Sequence, residues 1–163
     1  MRFILIGSLL FVAGAPSLAA TDEKPNPTTA DLAHEVSASM APREQMRAMV
    51  LAAISQSTTA AIIVKQIGQE KAASLIRDET GKVVDRYGPE WAENLASSYQ
   101  AALTPQELQA AKQAFLNRDR AAIMPLMMKV GPIMQAKTEP LLKKAATEAL
   151  AAAFEQVGKG AAK

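Results

Sequence analysis

Methionine offers more chemistry than any other residue type in this chain. Met46 and Met49 stand three apart, Met124, Met127 and Met128 cluster downstream, and Met40 and Met134 complete the set singled out here. Spacings of three and four put two thioethers on one face of a helix. Soft sulfur selects Cu(I), and with no Cys in the sequence thioethers are the only sulfur ligands present. The commoner use of Met is to fill irregular gaps in a helical core. Both clusters fall on apolar stripes, so core filling is the first expectation and no metal site is assigned. Copper binding through Met46, Met49, Met124, Met127 and Met128 is the alternative. A third use is a Met-lined surface that takes apolar peptide segments.

His34 is the only His. It shares a helix face with Asp31, three residues back, but one His and one Asp fall far short of a zinc site. It reads as an ordinary surface His. The acids Glu90, Glu93, Glu107 and Asp119 are scattered, and no pair has the spacing of an acid–base couple. Ser55, Ser97 and Ser98 have no base within motif reach, and no nucleophile elbow occurs. No phosphate loop or dinucleotide fingerprint is present. The sequence therefore points to no catalytic residue, no cofactor and a non-enzymatic protein.

Composition closes further routes. The absence of Cys rules out disulfides, iron–sulfur clusters, thiolate zinc sites and a Cys nucleophile, and also lipid attachment at a signal-cleavage Cys. A net charge of +2 gives no electrostatic footprint for nucleic acid. Aromatic residues make up 4% of the chain. Ala, Leu, Ile, Val and Met must then fill the core, which suits closely packed helices.

The first residues have the order of a secretory signal. Met1-Arg2 is a short basic start, residues 3–15 are nearly all apolar, and Ser17-Leu18-Ala19 supplies small residues for cleavage. Cleavage after Ala19 fits best, because cleavage after Ala20 would place Leu18 three residues before the cut. The apolar run is shorter than the roughly 20 residues of a spanning helix. The expectation is a signal peptide over 1–19, a flexible leader over 20–30 and a mature protein in the periplasm without stable membrane insertion.

Residues 31–157 read as one all-α domain, a bundle of five to six helices with Pro-kinked C-terminal helices. The pattern predicts a first short helix from Asp31 to Met40, with Thr29 as a possible cap. A second helix runs from Pro42 to Gly68, its stripe including Met46, Met49, Val50, Ala53, Ile54, Ala61 and Val64. The weak Ser55 to Thr59 stretch lies inside it. A third runs from Gln69 to Tyr87 with a weak point at Gly81. Gly88-Pro89 ends the third and opens a fourth, through Trp91, Leu95 and Tyr99. Thr104-Pro105-Gln106-Glu107 is a capping box with Pro at the first helical position. It starts a fifth helix whose buried face is Leu108, Ala111, Phe115 and Leu116. After the polar Asn117-Arg118-Asp119-Arg120 break, Pro125, Pro132 and Pro140 interrupt the last helical region. Gly131-Pro132 is the expected kink, and Pro140 a possible new start. Leu141 to Val157 has an apolar face opposite Lys143, Lys144 and Glu148. Gly158 to Lys163 reads as a frayed tail.

The stretch Tyr99-Gln100-Ala101-Ala102-Leu103-Thr104-Pro105-Gln106-Glu107-Leu108, then Ala114-Phe115 and Met124-Pro125-Leu126-Met127, resembles the bacterial exported domain-of-unknown-function family 2059. That family pairs a Leu-Thr-x-x-Glu-Leu helix start with an aromatic-small-Pro-x-Gly turn and a helix carrying Pro near its middle. The resemblance covers roughly Tyr99 to Val157 and implies a small exported helical protein, with no catalytic residues. The turn departs from the family: Leu116-Asn117-Arg118-Asp119-Arg120 stands where Tyr, Ser, Pro and Gly are usual. Leu103-Thr104 also resembles the Leu-Thr signature of small periplasmic helical chaperones, which place Gln where this chain has Glu107. Together these readings favour a protein-interaction or chaperone-like module with an envelope protein or peptide as partner. Ala-rich helix faces add a homodimer as a further partner arrangement.

Overall fold

One apolar stripe in the C-terminal third sets the axis of the molecule. Val130, Thr138, Leu141, Ala145, Ala149, Ala153 and Val157 are all buried, with Met134 half-buried between the first two. Successive members are three or four residues apart, the spacing of one helix face. The computed structural model describes residues 27–161. Over this span the chain is an all-α bundle: α1 (Thr29–Ser39), α2 (Pro42–Ser55), α3 (Thr58–Ile67), α4 (Gln69–Ala102), α5 (Pro105–Asn117) and α6 (Arg120–Ala161). The expected signal over 1–19 and the leader residues before Pro27 lie outside the described residues, as do residues 162–163.

The long helices α4 and α6 form the most extensive pairing. Their polar links fix an antiparallel register. Gln156 donates to Glu79, the Tyr87 hydroxyl to Glu148 at 2.7 Å, Lys137 to Ser97 at 2.8 Å, and the Tyr99 hydroxyl to Met127 at 3.4 Å. The seam is lined by Ala145, Ala149 and Ala153 on α6, small residues that admit close approach. Around Trp91, the side chains of Met46, Val50, Leu95, Leu141 and Ala145 make the central core. Helices α1 and α5 cover the Tyr99 end through Leu32, Val36, Leu108 and Ala111. Helix α3 covers the other end, where Ile63 meets Ala72, Ala153 and Val157.

The helices differ from the sequence expectation in four respects. The predicted second helix is two, α2 and α3, meeting at 80°. Ser57 takes an extended conformation and its hydroxyl accepts from the Ala60 N–H at 3.1 Å. In a Ser-Thr-Thr run the side chains compete for backbone bonds, and here capping wins over continuity. This bend also leaves Ala53, Ala61 and Val64 exposed, although the stripe places them in the core.

The second difference is the reverse. Gly81, Gly88 and Pro89 do not end a helix, and neither do Pro125, Pro132 and Pro140: α4 and α6 run through them. Each Pro frees the carbonyl four residues earlier. Those residues are Asp85, Ala121, Met128 and Ala136, all exposed, so water can take the freed acceptors. At Pro89, Pro132 and Pro140 the buried stripes continue on the opposite side.

The third concerns the ends. Thr28, not Thr29, caps α1, in a capping box with Asp31, so the leader is already ordered at its last residues. Helix α6 continues through Gly158 and Gly160, where a frayed tail is expected, because Val157 is docked against α3 and α4. The fourth is a matter of facing. Leu116 is exposed although it lies on the predicted buried face of α5, and Glu148 sits at the α4–α6 seam. The predicted capping box at Thr104 and Glu107 is present, with Pro105 at the first helical position.

Candidate functional site

The five Met residues with potential chemistry are distributed by the fold into different environments. Met46 is wholly buried beside Trp91 in the central core. Met49, one turn later, is 38% exposed. Met127 packs with Tyr99 in the α1–α5 end core. Met124 and Met128 are 64% and 76% exposed. The gap-filling role therefore holds for Met46 and Met127 but not for Met124 and Met128.

Met124 and Met128 lie one turn apart on one face of α6. With Leu116, which is 60% exposed, they are the most exposed large apolar side chains among the described residues. All three flank the α5–α6 turn. That turn is closely specified. Arg118 adopts a left-handed conformation (φ 55°), and the Asp119 N–H donates to the Ala114 carbonyl at 2.9 Å. This is the Schellman way of closing a helix, usually with Gly at the left-handed place. Asp119 then caps α6, its carboxylate accepting from the N–H groups of Ala121 (3.0 Å) and Ala122 (3.1 Å). Leu116-Asn117-Arg118-Asp119-Arg120 thus makes a corner capped on both sides.

Glu107 holds the start of α5 to α6. Its carboxylate accepts from Lys129 and from the backbone and hydroxyl of Thr104. The Lys129 hydrogen bond, then those from Thr104, hold its pKa down to about 2. Lys129 follows Met128 directly, so the exposed Met face is presented on a helix tied at that point.

A juxtaposition with no signature in the sequence occurs at Tyr99. Its buried hydroxyl lies 3.0 Å from the Met40 sulfur and 3.4 Å from the Met127 sulfur, two residues far apart in the chain. One phenolic proton is shared between two weak acceptors. Burial pushes the phenol well above its usual pKa, so it stays a donor. Phe115 packs edge-on to the ring, with centroids 6.2 Å apart.

His34 is exposed, and its Nε2 lies 3.6 Å from the Glu93 carboxylate of α4. Asp31 is engaged with the Thr28 hydroxyl and backbone, which lower its pKa. Among the described residues no three His, Asp or Glu side chains gather as metal ligands, and no single helix is long and apolar enough to cross a membrane. The candidate cleavage residues Ala19 and Ala20 lie outside the described residues. No family model, curated protein or solved structure matches this chain.

Proposed function

We propose that this chain is an exported, non-enzymatic interaction protein of the bacterial cell envelope that holds an apolar segment of another protein on the Met124–Met128 face of α6. One observation carries this reading: the two most exposed large apolar residues share a helix face, on a helix capped by Asp119 and tied by Lys129 to Glu107. Met is flexible and polarisable, so such a face adapts to varied apolar partners. Exposure of apolar side chains at a defined corner costs solubility and marks interaction surfaces when residues adjoin. Export to the periplasm rests on the basic start, the apolar run over 3–15 and Ser17-Leu18-Ala19. The resemblance to domain-of-unknown-function family 2059 supports the same exported, helical reading.

The test is protection of an unfolded client. The purified chain is expected to slow light scattering by a chemically denatured client after dilution. The double variant Met124→Gln/Met128→Gln is expected to lose that protection with its melting temperature unchanged. No protection by the parent, or equal protection by the variant, overturns the reading.

The soft-metal alternative is favoured by one arrangement, the Met40 and Met127 sulfurs on a common hydroxyl. Titration with Cu(I) under reducing conditions decides it. Tight binding weakened by Met127→Leu supports it, and absence of tight binding removes it.

A further inference from the structure

We infer that the open cleft between α2, α3 and α4 binds a single-chain fatty-acid anion, with its carboxylate on Arg77. The break at Ser57 creates this cleft. Because α2 and α3 turn through 80°, their apolar sides border an open corner that the first turns of α4 cross. Leu51 and Ile54 of α2, Ala61 and Val64 of α3, and Ala73 and Ile76 of α4 line a space of about 490 Å³. That volume and an apolar lining with few polar groups are the marks of a small-molecule site.

The charges around the cleft choose the ligand. From Gln45 to Gln69 the sequence has no Asp or Glu, so neither α3 nor the part of α2 that lines the cleft carries a carboxylate. Arg47 and Lys65 on these helices are exposed, and neither forms an ion pair among the described residues. Arg77 is the one charged residue on the cleft wall, and it too has no ion pair among the described residues. The positions one turn away on α4 are Ala73, Ser74, Thr80 and Gly81, so its own helix offers it no carboxylate. Glu70 and Asp78 of the same helix are not on the wall. An apolar groove with one free guanidinium complements a molecule with one apolar chain and one negative head.

The shape gives a direction. Gln69 marks the α3 end, where the Gly68 N–H donates to the Val64 carbonyl at 2.9 Å. Arg77 lies two turns along α4, about 12 Å away at the α-helical rise. The head sits at Arg77 and the tail runs toward Val64. The guanidinium fork matches one carboxylate with two parallel hydrogen bonds. A peptide fits less well. It would bring an N–H and a C=O at every residue, each needing a partner. Besides Arg77, the wall offers Gln69 and Ser55, and the Ser55 hydroxyl already donates to the Ala52 carbonyl at 2.8 Å. A hydrocarbon chain leaves no such groups unpaired.

This cleft shares no residue with the Met124–Met128 face, so each can fail without the other. The test uses the purified full chain and a dansyl-labelled undecanoic acid, followed by fluorescence at concentrations below micelle formation. Saturable one-to-one binding is expected, displaced by hexadecanoate and at least tenfold less well by hexadecanol. Arg77→Gln, an exposed change, is expected to weaken binding tenfold or more with the melting temperature unchanged. Ala73→Leu, which fills the cleft, is expected to abolish it. No saturable binding, equal displacement by acid and alcohol, or full affinity in Arg77→Gln overturns the inference. So does displacement of the probe by an apolar peptide but not by hexadecanoate.

Discussion

Helix α6 has two parts with opposite surroundings. From Val130 to Val157 it presents a buried stripe, with Ala145, Ala149 and Ala153 set against α4. From Arg120 to Lys129 no residue is fully buried, and Met124 and Met128 stand in solvent. Both parts are apolar in sequence. The difference shows that apolar content sets what a helix can bury, while the neighbouring helices decide what it does bury. Small residues let two helices approach closely over the first part. In the second part Leu126 and Met127 pack inward, while Met124 and Met128, on a face with no helix opposite, make a surface.

The two parts respond differently to substitution. The largest change is expected from Trp91→Ala, which empties the core against Leu141 and Ala145. By chemical denaturation it lowers stability by about 3–5 kcal/mol. Among the described residues the Trp91 N–H meets no hydrogen-bond acceptor, so Trp91→Phe costs less, losing packing only. Next, Pro132→Ala restores a donor inside α6 and removes a ring clash. It raises stability by up to about 3 kcal/mol. A decrease would mean that Pro132 itself shapes the packing of the seam. Ala149→Leu then overpacks the α4–α6 seam and costs about 1–3 kcal/mol. A neutral result would contradict close approach there.

A smaller effect concerns the tie between the two parts. The Glu107 pKa is depressed in the folded chain to about 2. A depressed carboxylate contributes stability that is complete above its ordinary value and is lost as pH falls through the folded value. An acid titration of stability should therefore show a loss as pH falls toward 2, smaller in Glu107→Gln because Asp31, Glu139 and Glu155 are also held low. The smallest effect is that of Met124→Ser/Met128→Ser, within about 0.5 kcal/mol of the parent, as for surface changes generally. A larger loss would mean that these side chains are packed.

Much of the architecture was legible in the chain. The Thr104 capping box, Pro42 and Pro105 at helix starts, and the stripe from Leu141 to Val157 follow from local rules that the fold obeys. The helix divisions were less legible because they depend on competition. At Ser57 a side-chain cap outweighs continuation of the helix. At Pro89 and Pro132 burial of the opposite face outweighs a missing hydrogen bond. The candidate surface was the hardest to read. Met46-x-x-Met49 and Met124-x-x-Met127 have the same spacing, yet Met46 is buried and Met124 exposed. The spacing fixes which residues share a face, but no local pattern tells which face meets a neighbour. Nor does any local pattern bring Met40 and Met127 to one Tyr99 hydroxyl.

The methionine ε-methyl resonances test the interaction surface most directly. With carbon-13 labelled methionine, addition of a soluble unfolded client should shift and broaden the signals of Met124 and Met128 and leave Met46 in place. A client that moves neither exposed signal, or that perturbs Met46 alone, would contradict an interaction face at this end of α6.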